Sequence, residues 1–172
     1  MNSVVEAILQ RRSVRSFSEK DISDEDLYLI AKCGSYAPSA LNRQKWHFII
    51  VHNRESIGRL AKAIGEKLGQ EGYNFYEPNA LIIVTAARDY PFAKQDCSCA
   101  LENIFLAAHS MGIGSVWINQ LSEICDDKKI REVLNAIGVP TEDTAVGIAA
   151  LGYPKGEIRK ADKKSNTIII GK

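Results

Sequence analysis

Long apolar runs, charge imbalance and paired cysteines are all scarce in this chain, and each scarcity removes a class of function. No stretch reaches the roughly 20 predominantly apolar residues that a membrane-spanning helix needs. The formal net charge is only +1, so no global charge points to nucleic acid or to a membrane surface. The four cysteines, at 33, 97, 99 and 125, contain no Cys-x-x-Cys pair. Three of them sit among apolar neighbours, and they read as small core residues of a reducing compartment. Cys97 and Cys99 lie two apart on a helical stretch and point to different faces, so no metal site with His109 is expected. The N-terminus lacks the basic region and apolar core of a secretory signal, and the expected location is cytoplasmic. Without a repeat, linker or low-complexity tract, the 172 residues suit a single domain, 1–172.

The stretch Asp96–Gly112 organises what remains. Between Cys97 and Met111 only Ser98, Glu102, Asn103, His109 and Ser110 are polar. A helix this apolar belongs inside a protein and needs partners on all sides. Asp96 is expected to cap its start and Gly112 to end it in the left-handed conformation. The run Gly114–Gln120 follows as a buried strand. Covering such a helix in a chain of this length calls for a second copy, hence a dimer.

Ser3 and Glu6 form a capping box for a first helix with an apolar stripe of Val4, Val5, Ile8 and Leu9. Further helices are expected after Ser23, after Asn53 and after Asp126 or Asp127. Strands are expected at the end of 37–51, at Ala80–Ala87 and at Thr144–Gly152, each a near-continuous apolar run. A last short strand, Thr167–Ile170, follows a polar arm long enough to reach another subunit's sheet. Left bare it would be an aggregation edge.

Three stretches carry candidate chemistry. Arg11-Arg-Ser-Val-Arg-Ser-Phe17 packs three guanidiniums and two hydroxyls together. It is either an anion grip or a solvated basic turn. A nucleic-acid patch lacks the aromatic platform and wider basic face it would need. Ala37-Pro-Ser-Ala-Leu-Asn-Arg-Gln-Lys-Trp46 gathers polar groups ahead of a strand. The amides of Asn42 and Gln44 suit a heteroaromatic edge, or the loop is an ordinary self-capped turn. Tyr73, Phe75 and Tyr76 either cover a pocket or pack a loop on itself. His47, His52 and His109 read as structural histidines, and the two tryptophans and Phe48 as core.

Taken in order, four of these motifs resemble the FMN-dependent nitroreductase family across almost the whole chain. They are Arg11–Phe17, Ala37–Trp46, the helix Asn103–Gly114 running into Trp117, and Leu151-Gly-Tyr-Pro154. The resemblance implies an α+β nitroreductase-like sandwich, a mixed central sheet flanked by helices, in an intertwined homodimer with FMN at the interface. It implies that Arg11, Arg12, Ser13 and Arg15 hold the phosphate and neighbouring polar edge of FMN. Pro38, Ser39, Ala40, Asn42 and Gln44 would come from the other subunit. Ile118, Asn119 and Gln120 would approach the flavin ring, and Gly152 with the basic arm would close over the phosphate. Lys163 or Lys164 is the implied basic partner, with Arg159 in reserve.

The implied activity is hydride transfer from NADH or NADPH through FMN to a nitroaromatic or quinone acceptor, by a ping-pong cycle. No side chain is required as acid or base. A non-enzymatic FMN-storage protein, or a same-fold reductase acting on an enone, a halogenated aromatic or free flavin, fits the same motifs. Three features depart from the family pattern: Lys45 stands where proline is common, Glu102 where glutamine is usual, and Gln70–Pro78 replaces a longer helical excursion. The last implies a more open substrate pocket.

Overall fold

A computed structural model of the chain describes residues 2–158 and 163–171. Its elements run α1 (Ser3–Gln10), α2 (Asp24–Gly34), a 3-10 turn (Ala40–Asn42), β1 (Trp46–Val51), α3 (Arg54–Leu68), β2 (Ala80–Ala87), α4 (Ala93–Ser110), β3 (Gly114–Ile118), α5 (Leu121–Ile124), α6 (Lys128–Ala136) and β4 (Asp143–Gly152). The strands form one sheet in the order β1-β2-β4-β3, with every pairing antiparallel. A mixed sheet was expected; among the described residues its parallel part is a single bridge, Ser13 to Ser115.

The sheet is the middle layer of three. Ile82, Val84, Ala149 and Leu151 face α2 and α4, while Leu81, Ile83, Ile148 and Ala150 face α3, α5 and α6. Because β2 and β4 are central and covered on both faces, their sequences are apolar without alternation. Capping works largely as the side chains dictate. The Ser23 hydroxyl accepts from Asp26 N–H, Asn53 from Ser56 N–H and Asp127 from Lys129 N–H. Gly69 and Gly112 end their helices at φ +65° and +73°.

Several expectations are corrected. The cap of α1 is Asn2, whose side chain accepts from Val4 N–H, and Ser3 is already helical. The helix α4 begins at Ala93, so Asp96 lies inside its first turn and its carboxylate points inward, engaged elsewhere. Its outer side is not covered within the chain. Leu106 and Ala107 instead line an apolar groove with Val4, Ala7, Leu29 and Tyr36. Val4, Val5, Ile8 and Leu9 all face outward as well. Thr167–Ile170, expected to pair with another subunit's sheet, forms no strand in the single chain, and Ile168, Ile169 and Ile170 are 82%, 89% and 92% exposed. Local β propensity cannot form a strand without an edge to pair with. Trp46 is core, but Trp117 stands half out of β3 beside Phe105. Of the four cysteines, all free thiols, Cys97 and Cys125 are buried, Cys33 is partly covered and Cys99 is exposed.

Candidate functional site

The arginine stretch is held flat along the end of the sheet. Val14 N–H donates to Ser115 O (2.9 Å), Lys155 N–H to Ser16 O (3.0 Å) and Ser18 N–H to Tyr153 O (2.8 Å). In an extended segment successive side chains alternate. Val14 therefore turns inward and is buried, while Ser13 and Arg15 turn outward. Gly114 makes this approach possible, because a Cβ there would lie 2.9–3.0 Å from three Val14 carbons.

A cavity of about 760 Å3 opens over this segment. Arg11, Arg12, Ser13 and Arg15 line it with Lys155 and Lys163, and among the described residues Glu157 is the one acid on its wall. Arg12 is anchored by Nη1, which donates to Leu9 O and Arg11 O at 2.7 Å each. Its Nε is buried with no hydrogen-bond partner among the described residues. Arg11 sits 3.8 Å from Glu102 and over the Phe105 ring, and Arg15 lies over the Tyr76 ring. The local field is positive enough to be felt by a neighbour. Burial, then Arg11 and Arg12, hold the His109 imidazole below its ordinary value.

The other expected residues are placed elsewhere. Pro38, Ser39, Ala40, Asn42 and Gln44 form a largely exposed loop on the α2–β1 connection, outside the arginine cavity. Ile118 is in the core, whereas Asn119 and Gln120 are exposed where β3 gives way to α5. Gly152 is a packing position and not a cavity wall: a Cβ there would meet Phe17 at 2.7 Å and Asn79 Oδ1 at 2.9 Å. Of the two lysines of the arm, Lys163 lines the cavity and Lys164 does not. Arg159 lies outside the described residues.

The aromatic loop divides between its two readings. Phe75 is buried and meets Tyr73 edge-on at 5.1 Å, which is packing. Burial pushes the Tyr73 phenol up to about 12. Tyr76 remains exposed beneath Arg15 and does not line the cavity. His47 and His52 are tied by Nδ1 at 2.7 Å to Asp143 and Asp24. Lys155 was not singled out by sequence reasoning. It belongs to the basic arm, and its place at the cavity appears only when the strand-like segment 13–18 meets the stretch after β4. A larger cavity of about 860 Å3 beside α3 touches the first at Lys155. Glu19, Glu66, Glu71 and Glu77 face Arg54 and Lys62 there, so its charge does not favour an anion.

Comparison with known proteins bears on the family and the fold. Residues 8–153 match the model of the nitroreductase family. A crystal structure of a nitroreductase with bound FMN from Bacteroides fragilis superposes with a TM-score of 0.93 at 37% identity, covering 100% of both chains. A nitroreductase with bound FMN from Desulfitobacterium hafniense superposes at 0.89 and 26% identity, again over 100% of both. A protein of Archaeoglobus fulgidus with the provisional name NADH dehydrogenase/NAD(P)H nitroreductase is 38% identical over 96% of this chain and 95% of its own length. A match running from α1 through the end of β4, on this same three-layer fold, makes the chain a member of the nitroreductase family.

Proposed function

We propose that the chain is an FMN-dependent oxidoreductase that takes a hydride from NADH or NADPH and passes electrons to a nitroaromatic or quinone-type acceptor. The observation that carries this reading is the arginine cavity. Among the described residues, five cationic side chains, two serines and one acid share its wall, the donor set that a phosphate dianion calls for. The unpartnered, buried Arg12 Nε is a further donor within that wall. Relatives of the same fold carry FMN, whose single phosphate matches this cavity. Arg11, Arg12, Ser13, Arg15, Lys155 and Lys163 are the residues assigned to it.

When bound, FMN supplies the redox chemistry, accepting a hydride and handing on the electrons. The chain's own groups bind and orient. Arg11 and Arg15 place positive charge where negative charge has to be held. Asn119 and Gln120, exposed at the end of β3, offer backbone and amide groups to the ring. No side chain is assigned a proton-transfer step. Donor and acceptor take turns in one pocket, giving a ping-pong order. The whole chain acts as one unit of a homodimer, and the loop Pro38–Gln44 serves the partner's site, since it lies outside its own chain's cavity.

Two surfaces support the dimer. The stripe of Val4, Val5, Ile8 and Leu9 beside the apolar α4 groove is exposed in the single chain. So are Ile168, Ile169 and Ile170, each of which stabilises by about 1.5–3 kcal/mol when fully buried. The tail needs a sheet edge. The outer edge of β3 is partly taken by Ser13 and Val14, which leaves β1 of the partner.

The test is the visible spectrum of the purified protein during anaerobic addition of NADH and then NADPH. Bleaching of a flavin band, with recovery on adding a quinone or nitroaromatic, is the expected result. A flavin band that neither nucleotide bleaches would replace the enzyme by a carrier. A colourless protein that does not bind added FMN would overturn the reading.

A further inference from the structure

Asp96 is 6% exposed and no lysine or arginine among the described residues pairs with it. A buried carboxylate without a counter-cation is costly to keep. The first turn of α4 favours a negative charge there, but a helix start alone does not require burial. What Asp96 does is reach across 56 residues of sequence. Both of its oxygens accept from the backbone N–H of Ala40, at 3.1 and 3.2 Å. Oδ2 also accepts the Tyr90 hydroxyl at 2.5 Å. That bond raises the Tyr90 phenol above its ordinary value and keeps it a donor.

The loop so held is strained. Leu41, Asn42 and Gln44 have φ of 53°, 53° and 49°, left-handed values that non-glycine residues adopt only when surrounding structure enforces them. Its other side-chain hydrogen bonds among the described residues are internal. Gln44 N–H donates to Ser39 Oγ (3.2 Å) and Gln44 Nε2 to Asn42 Oδ1 (2.9 Å). These bonds fix the shape of the loop but not its place on the protein. The place is set by the preceding chain, by Trp46 in the core, and at its centre by the carboxylate of Asp96.

We propose that Asp96 is a positioning residue for the flavin-binding loop: its buried carboxylate clamps Ala40 so that Ser39 and Asn42 face the cofactor of the partner's site. This rests on the FMN reading above. It also makes the clamp of one subunit a determinant of cofactor affinity in the other.

The experiment compares wild type, Asp96→Asn, Asp96→Ala and Arg11→Ala/Arg15→Ala as full-length dimers. It records the FMN dissociation constant by flavin fluorescence, the visible circular dichroism of bound FMN, and the melting curve without FMN. Asp96→Asn keeps the size and one acceptor but loses the charge and the second acceptor, so it remains folded where Asp96→Ala fails. The expected result is FMN affinity weakened about tenfold in Asp96→Asn, with an altered dichroism spectrum from a cooperatively folded protein. Lower melting temperature with an unchanged dissociation constant and spectrum overturns the proposal and leaves Asp96 a structural residue. Failure of wild type to bind FMN overturns the functional reading with it. Wild-type binding that is lost only in Arg11→Ala/Arg15→Ala overturns the Asp96 clamp alone.

A mixed dimer tests its reach. Combining Asp96→Asn chains with Arg11→Ala/Arg15→Ala chains places both defects in one site and leaves the other intact. Recovery of one tight FMN per mixed dimer is the expected outcome, and no recovery overturns action across the interface.

Discussion

Replacing Gly114 by alanine tests how the anion cavity is built. No unusual φ constrains Gly114, so the backbone accepts alanine, and loss of unfolded-chain entropy favours it by about 0.4–1 kcal/mol. Packing opposes it. The new Cβ would stand 2.9 Å from Val14 Cβ, 2.9 Å from its Cγ2 and 3.0 Å from its Cγ1. Val14 is β-branched and buried, so no rotation clears all three atoms. Overpacking of this kind costs about 1–3 kcal/mol, and it wins. At the middle of both ranges the net loss is about 1.3 kcal/mol, a fall of about 3–5 °C in melting temperature for a domain of this size.

The strain is relieved by moving Val14, and with it Ser13 and Arg15 on either side. FMN affinity should therefore fall too, by about tenfold if roughly 1.4 kcal/mol of binding is lost. Differential scanning fluorimetry and FMN titration measure the two effects. Adding Val14→Ala removes two of the three clashing atoms, so the double variant should be less destabilised than the sum of the singles, with a coupling of about 0.5–1.5 kcal/mol. Additive losses together with unchanged FMN affinity would refute the argument that Gly114 exists to let the arginine segment lie against β3.

Three further outcomes follow from the same geometry. Arg11→Ala/Arg15→Ala should weaken FMN binding at least tenfold, from lost charge-assisted bonds worth about 1.5–3 kcal/mol each, with the dimer intact; equal affinity in an FMN titration would remove these residues from the site. Deleting 165–172 should weaken the dimer, measured by sedimentation, and an unchanged dissociation constant would argue against an exchanged tail. His109 titrates below its ordinary value, so the unfolded chain protonates it first; its contribution to stability is complete above about pH 6.5 and lost as pH falls through the folded value. A phosphate between Arg11 and Arg12 offsets their repulsion, so FMN should raise the His109 value in an NMR titration, and a value unmoved by FMN would place the phosphate elsewhere.

The sequence by itself determined the elements and most of their ends. Apolar runs bounded by Ser23, Asn53, Asp127, Gly69 and Gly112 are local signals, and local backbone chemistry obeys them. The charge density of the arginine stretch was legible because it is a property of neighbours in the chain, but from the residues alone an anion grip and a solvated basic turn stayed open. Only tertiary structure brought Lys155 beside it and chose Lys163 over Lys164, since all three belong to chain that returns after β4. It turned Asp96 from an expected cap into a buried clamp on Ala40, a contact spanning 56 residues that no local pattern announces. It placed Gly152 against Phe17, outside the wall of the arginine cavity. It also left Val4, Val5, Ile8, Leu9 and the three terminal isoleucines bare. A sequence shows that such residues must be buried, but what buries them depends on which surface of the fold is still open.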